Sequence, residues 1–275
     1  MPSAKKKPAP SPEEDILLRE DRGAIAVLVL NRPDKRNSLS EALMSALQEE
    51  ITAIGQSKAI RAVVLAANGP VFCAGHDMKE MSAHRNDRDR GHAYFTKVMM
   101  NCATLMQSIM TCPKPVVAAV EETATAAGCQ LVASCDLAVA GTDAKFCTPG
   151  VHIGLFCSTP MVAISRNVPR KRIMEMLLLG EMVDAREAEA WGLVNRVVPK
   201  DRVMDTAMQM AETIASKSSE VIAIGKEAFY RQIEKPVAEA YHYAAEVMVT
   251  NMMHRDSEEG IGAFLDKRKP EWGDR

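Results

Sequence analysis

Two stretches of small residues offer backbone N–H groups for chemistry. Residues 72–80 read Phe-Cys-Ala-Gly-His-Asp-Met-Lys-Glu, and residues 123–130 read Thr-Ala-Thr-Ala-Ala-Gly-Cys-Gln. In each, an apolar strand runs into small residues and then into a helix. Gly75 supplies a turn geometry that side chains oppose. The N–H of His76 then lies near the positive end of a helix. In the second stretch the small side chains let a ligand approach the backbone. Two such N–H groups aimed at one oxygen make an oxyanion hole, which stabilises negative charge developing on a carbonyl. Ala- and Gly-rich helix starts also serve tight packing alone, so neither stretch is specific by itself.

The elements that position these stretches follow from periodicity. Residues 16–30 alternate as a hairpin with its turn at Asp21-Arg22-Gly23. Leu43, Leu47 and Ile51 are spaced as a helix over residues 40–54, capped by Ser38 or Ser40. Residues 60–67 and 115–120 read as apolar strands, with a short apolar run at 71–75 and shorter strands at 137–140 and 145–148. Residues 82–92 are polar and read as a loop, followed by a helix over 94–109. From residue 159 onward the segments 159–168, 170–179, 185–191, 201–216, 218–248 and 257–266 read mostly as helices. The sheet is therefore expected in the first half, with helices after it.

The composition narrows the class. The chain has 275 residues, 47% apolar and 25% charged, which suits a globular protein. Thirty-four basic residues against 36 acidic ones give no reason to expect a nucleic-acid partner. Aromatics make up 4% while Met occurs 18 times, so the core is aliphatic and thioether. Seven cysteines without a CxxC pair read as buried free thiols of a reducing compartment. There is no HExxH, no GxxxxGK[ST] and no GxSxG, so the sequence gives no support to a metal, a nucleotide triphosphate or a hydrolase elbow. No apolar run reaches a membrane span. Residues 1–15 lack a secretory apolar core and lack Arg, and read as a disordered tail. Cytoplasm is the expected compartment.

Several ordered stretches resemble the enoyl-CoA hydratase/isomerase (crotonase) family from about residue 16 to 272. They include LNRPDKRNSLS at 30–40, GPVFCAGHDMKEM at 69–81 and CPKPVVAAVEETATAAGCQLVASCDLAVAG at 112–141. KFCTPGVHIGLFCSTP at 145–160, LLLGEMVDAREAEAWGLVNRVVP at 177–199 and EEGIGAFLDKRKPEW at 258–272 also match. TPGVHIGLFCSTP is most similar to one branch of that family. The resemblance implies an α/β crotonase-like (ClpP/crotonase) β-β-α spiral over residues 16–200. A helical C-terminal trimerisation region of the same domain follows over 201–275, with assembly into homo-trimers or hexamers. It further implies a lyase-like enzyme of fatty acid metabolism with no cofactor, taking a coenzyme A thioester as its substrate.

The resemblance also carries roles residue by residue. The oxyanion donors map to the N–H groups of His76 and Ala127, the latter standing where Gly is usual. The two hydratase glutamates map to Gln130 and Gly150. Gln130 can orient water but cannot take its proton, and Gly150 has no side chain. Replacement acids or bases are Glu122, next to Glu121, and His152, two positions after Gly150. Each also has an ordinary structural reading. Lys35 and Arg36 map to the CoA phosphates. Ala74, Asp77 and Met78 flank the adenine and pantetheine path, with Asp77 also reading as a helix cap. Phe264 and Lys267 resemble residues that a neighbouring subunit offers to CoA, and Asp136 resembles a position that orients backbone. The expected activity is hydratase-like action on a fatty 2-enoyl-CoA. Isomerase or thioester hydrolase action, acyl-CoA binding without catalysis, and a structural role within a larger complex are the alternatives.

Overall fold

The structure is a computed structural model that describes residues 15–273, so most of the expected N-terminal tail lies outside the described residues. Strand β1 (Leu17–Arg22) and β2 (Ile25–Leu30) form the expected antiparallel hairpin, Arg22 pairing with Ile25. Gly23, at φ 63°, makes the turn. Helix α1 (Glu41–Gln56) starts where the Ser40 hydroxyl accepts the Leu43 N–H, and buries Leu43, Leu47, Ile51 and Ile54 as one stripe. Strands β3 (Ala62–Ala67) and β4 (Val71–Cys73) follow.

The polar segment after β4 is more ordered than a loop. Helix α2 (Met78–Ala83) runs into a 3-10 turn at His84–Asn86, and α3 (His92–Thr111) starts after Gly91. His84 stacks on Tyr94 with ring centroids 3.5 Å apart, and Arg85 lies over the Phe95 ring. These ring contacts on α3 hold a stretch whose polarity alone suggested none.

Next come β5 (Val116–Val120), β6 (Thr123–Thr125), α4 (Ala127–Ser134), β7 (Leu137–Gly141) and β8 (Lys145–Cys147). Each pair of strands and the turn or helix after it repeats one winding of the expected β-β-α spiral. The windings build two sheets, ordered β1-β2-β3-β5-β7 and β4-β6-β8, each completed by a later strand. Those strands are β9 (Val183–Asp184), antiparallel to β8, and β10 (Arg196–Val198), parallel to β7. The expectation that the sheet belongs to the first half is corrected accordingly. Two or three residues are too few to show a period of two, and the helices around them dominate the pattern.

The remaining helices are α5 (Pro160–Ile164), α6 (Arg170–Leu179), α7 (Ala185–Trp191), α8 (Val203–Ala215), α9 (Ser219–Gln232), α10 (Val237–Met252) and α11 (Arg255–Leu265). The segment read as 218–248 is two helices, because Pro236 lacks the N–H that a continuous helix needs. Alternation in β2 feeds both faces of the larger sheet. Ala26, Leu28 and Leu30 pack in the core with α1, while Ile25 and Val27 pack against Val203, Ala207 and Ala211 of α8.

Candidate functional site

The site grows from three neighbouring strand ends. Strands β4, β6 and β8 are parallel, with Val71 beside Thr123 and Thr125 beside Cys147. Their continuations at residues 74–76, 126–127 and 148–150 therefore emerge side by side. The two small-residue stretches meet here. A Cβ built on Gly75 would lie 3.4 Å from the Ala127 nitrogen and 2.9 Å from the Ala126 Cβ. A Cβ on Gly128 would overlap the Cys73 carbonyl, so α4 can seat against β4 only with Gly there.

Hydrogen bonding explains the direction of each donor. Leu39 N–H donates to Gly75 O at 2.8 Å, and Asp77 N–H donates to Leu39 O at 3.1 Å. These bonds tie the peptides flanking His76 to Leu39, and in extended backbone the intervening N–H points to the other side. Ala126 N–H donates to Cys147 O at 2.9 Å, and Gln130 N–H donates to Ala126 O at 3.0 Å. Ala127 is the first residue of α4, whose first N–H groups have no intrahelical acceptor. Among the described residues, neither the His76 nor the Ala127 N–H has an acceptor. Two unengaged donors thus adjoin at the positive end of α4, a helix with all eight residues buried.

Ala126 shapes this junction. Its φ of 50° and ψ of −119° belong to a region that suits glycine. The conformation aims the following peptide, and the methyl group carries the strain.

The surroundings contain little acid–base capacity. Gln130 is buried, and among the described residues its amide oxygen accepts only a long contact from Cys102 Sγ at 4.0 Å. Position 150 is filled by the chain itself. A Cβ there would come within 2.9 Å of both Cys157 Sγ and Leu155 O, and Leu155 N–H donates to Gly150 O at 2.9 Å. Burial pushes Cys73, Cys102 and Cys147 up to about 12, and raises Cys129 and Cys157 as well. These thiols stay protonated at neutral pH and are weak nucleophiles. Burial lowers His76 below its usual value against an opposing contact with the Leu39 backbone, so its ring is neutral at pH 7. Among the described residues, neither buried ring nitrogen has a hydrogen-bond partner.

The two replacement groups are engaged elsewhere. Glu122 is ion-paired to Lys200. His152 Nε2 lies 3.2 Å from Gly180 O, at the C-terminus of α6, and the ring packs against Gly180. The two-residue offset from Gly150 carries the imidazole toward α6 and not toward α4.

Asp77 caps α2 through the Lys79 and Glu80 N–H groups and pairs with Arg32 at 3.3 Å. Burial of Asp77 opposes ionisation, but those N–H groups and Arg32 prevail and hold the carboxyl below its ordinary range. Ala74 N–H donates to Arg36 O at 3.1 Å, which brings exposed Lys35 and Arg36 beside the first small-residue stretch. Met78 is half exposed on the same side. Phe264 and Lys267 lie on or just after α11, exposed to solvent, and the site within one chain does not include them.

Sequence reasoning missed the wall that α9 builds. Lys226 Nζ donates to Asp136 Oδ2 at 2.6 Å and to Ile109 O at 3.0 Å, and Tyr230 donates to Asp136 Oδ1 at 3.0 Å. Asp136 also accepts the Val116 N–H, so it does orient backbone. A lone lysine in the apolar run VIAIGKEAF was the available signal. Between α3, α4, α5 and α9 lies a cavity of about 730 Å³, with Gln130 in its lining. Among the described residues, no group of three His, Cys, Asp or Glu side chains could hold a metal ion. No helix there is long and apolar enough to cross a membrane.

Known proteins are similar to this chain in sequence and fold. A family model described as enoyl-CoA hydratase/isomerase matches residues 20–275. The rat protein named enoyl-CoA hydratase domain-containing protein 3, mitochondrial, is 42% identical over 271 residues, or 98% of this chain and 89% of its own. Its human counterpart is 45% identical over 245 residues, covering 89% and 79%. The crystal structure of an enoyl-CoA hydratase from Mycobacterium smegmatis superposes with a TM-score of 0.89 at 48% identity, covering 94% of this chain and 99% of that one. That of the human domain-containing protein 3 gives 0.88 at 44% identity, covering 94% and 100%. The expected β-β-α crotonase-like fold and the branch resemblance are both present in these matches. The cytoplasmic expectation is corrected. The rat, human, mouse, Xenopus laevis and Danio rerio relatives all carry mitochondrial in their names. A compartment is set by a short address, so a low Arg content over 15 residues was a poor guide to it.

Proposed function

The chain belongs to the enoyl-CoA hydratase/isomerase family, and on that premise we propose that it binds a fatty 2-enoyl-CoA with the thioester oxygen between the His76 and Ala127 N–H groups. The observation that carries this reading is the close approach of Gly75 to the Ala127 nitrogen, beside two donors without acceptors. Charge that develops on the thioester oxygen as an enolate forms would meet preorganised dipoles at the start of α4. Lys35 and Arg36 would meet the CoA phosphates from the adjoining segment.

The proposed reaction rests on electrostatic stabilisation, with hydration far below the rate of a two-glutamate site. Gln130 can hold a water through its amide but has no basic form at neutral pH. At Gly150, where the resemblance puts the second carboxylate, even a Cβ would crowd Leu155 O and Cys157 Sγ. Addition of water needs a group that removes its proton, and general acid–base catalysis contributes about 10²–10⁴-fold. The filled position also favours a second reading, acyl-CoA binding with little turnover.

Crotonyl-CoA hydration and CoA-thioester binding, measured on one purified sample, test the proposal. Saturable binding with hydration lowered by at least that factor relative to a two-glutamate hydratase supports it. Full-rate hydration would mean a base elsewhere. Absence of thioester binding would remove the proposal altogether.

The outer helices bear on assembly. Tyr241, Met248 and Met253 of α10 and its C-terminus, with Phe264 and Leu265 of α11, are exposed in a single chain. We propose that further copies cover them in a trimer or hexamer, the arrangement that would also bring Phe264 and Lys267 to a neighbour's CoA. Sedimentation equilibrium giving a monomer would contradict this.

A further inference from the structure

Position 150 carries no carboxylate, but a nucleophile stands against it, and we infer that Cys157 captures the bound enoyl thioester covalently, its sulfur adding to C3 of the 2-enoyl group. This rests on the thioester site proposed above and adds a second activity to it. A Cβ built on Gly150 would lie 2.9 Å from Cys157 Sγ. The sulfur thus stands at the root of the side chain that the resemblance places there. Cys157 also flanks α4. It opposes ionisation of Cys129 in the first turn of that helix, so the two thiols are neighbours. Ala127 begins the same turn, and Ala126 N–H donates to Cys147 O at 2.9 Å, which fastens the start of α4 to the end of β8. A thioester oxygen at the Ala127 N–H therefore brings C3, two bonds beyond the carbonyl carbon, to the side where Cys157 stands.

Exposure singles out this cysteine. Cys73, Cys102, Cys129 and Cys147 are 0% exposed, whereas Cys157 is 8% exposed. Cys135 is equally exposed, but it follows the far end of α4 and its Sγ donates to Leu131 O at 3.3 Å. Two polar side chains nearby lack protein partners of their own. Thr148 Oγ1, two residues before Gly150, is fully buried and has no hydrogen-bond partner among the described residues. Gln130 is 4% exposed and lines the neighbouring cavity, with its amide oxygen engaged there only by the long Cys102 contact. Buried polar groups are ordinarily hydrogen-bonded, so this pair points to a ligand that brings hydrogen-bonding atoms.

The step balances without a protein base. The S–H bond breaks and an S–C3 bond forms. The C2=C3 π pair moves toward the thioester oxygen, where the His76 and Ala127 N–H groups receive the charge. The thiol proton ends on C2, carried by water held at the Thr148 hydroxyl or the Gln130 amide. The thioester stays whole and no CoA leaves. Sulfur adds where water does not, because a free thiol ionises at about 8.5 and water at about 15.7, and sulfur is intrinsically the stronger nucleophile. Burial raises the Cys157 thiol and the Gly150 N–H opposes that rise, so the thiol is protonated at rest and capture is slow.

Intact-protein mass spectrometry after incubation with crotonyl-CoA and an acid quench tests this. Butyryl-CoA is the saturated comparison, and its binding is measured by calorimetry on the same sample. The expected result is one adduct with the mass of whole crotonyl-CoA, mapped by peptide sequencing to Cys157, and none with butyryl-CoA. Its rate saturates with crotonyl-CoA, is slowed by excess butyryl-CoA and falls at least tenfold in Cys157→Ser. Thermal melting checks that the variant is folded, and Cys157→Ala serves in its place if it is not. The peptide mapped from the unaltered protein decides the site in either case. An adduct that carries the crotonyl group without CoA would mean acyl transfer and overturns the inference. So does an adduct spread over several cysteines, or no adduct in a sample that binds butyryl-CoA. If butyryl-CoA does not bind and no adduct forms, the thioester site fails and the inference with it.

Discussion

Replacing Ala126 with glycine should stabilise the protein, because the residue stands in a glycine conformation. At φ 50° and ψ −119°, its Cβ meets its own backbone, and it also presses toward Gly75. Strain of this kind costs about 1–3 kcal/mol. Glycine removes that cost but adds about 0.4–1 kcal/mol of conformational freedom to the unfolded chain. The net gain is therefore about 0–2.6 kcal/mol, or a rise of up to about 10 °C in Tm at ~2–4 °C per kcal/mol for a chain of this size class. Denaturant titration and thermal melting of Ala126→Gly read it directly. Gly75→Ala is the matched control. Its φ of 92° and the 2.9 Å approach to the Ala126 methyl make it destabilising. Loss of stability in Ala126→Gly of more than 1 kcal/mol, with an unchanged m-value, would refute the strain argument. The same variant frees the peptide that aims the Ala127 N–H, so weaker thioester binding should accompany greater stability.

The other expectations follow from the same geometry. Gly150→Glu, alone or with Gln130→Glu, should lose about 1–3 kcal/mol from overpacking against Leu155 O and Cys157 Sγ without restoring hydration; a folded double variant with hydratase turnover would count against the filled-pocket reading. Lys226→Met should cost about 3–5 kcal/mol, because Asp136 is left partly buried without its cation, and urea unfolding measures it. His76 titrates below its ordinary 6.5 when folded, so the unfolded chain binds the proton first and stability falls as pH drops below 6.5. Melting at pH 7.5, 6.0 and 5.0 should show a shallower fall in His76→Phe than in the unaltered protein, and identical slopes would exclude the ring as a contributor.

The legible parts of this fold were those with a repeating signal. The stripe through Leu43, Leu47 and Ile51 and the alternation of Ile25 to Leu30 each bury one regular face, so pattern and structure coincide. The two small-residue stretches were also visible, because close approach of α4 to β4 leaves only Gly at 128. Their adjacency was not, since it depends on the parallel register of β4, β6 and β8. β9 and β10 were too short to carry a period. His152 stood as one candidate base beside a structural reading, with its two-residue offset from Gly150 counting against it, and the 3-10 turn directs it toward Gly180. The occupation of position 150 by Leu155 and Cys157 is a contact between loop residues that no spacing rule encodes.

A crystal structure with a non-hydrolysable 2-enoyl-CoA analogue bound tests the central claim most directly. The account predicts the thioester oxygen about 2.7–3.1 Å from both the His76 and Ala127 nitrogens, with the acyl group passing Gln130. A thioester oxygen that meets neither nitrogen, with those N–H groups facing solvent or protein, would contradict it.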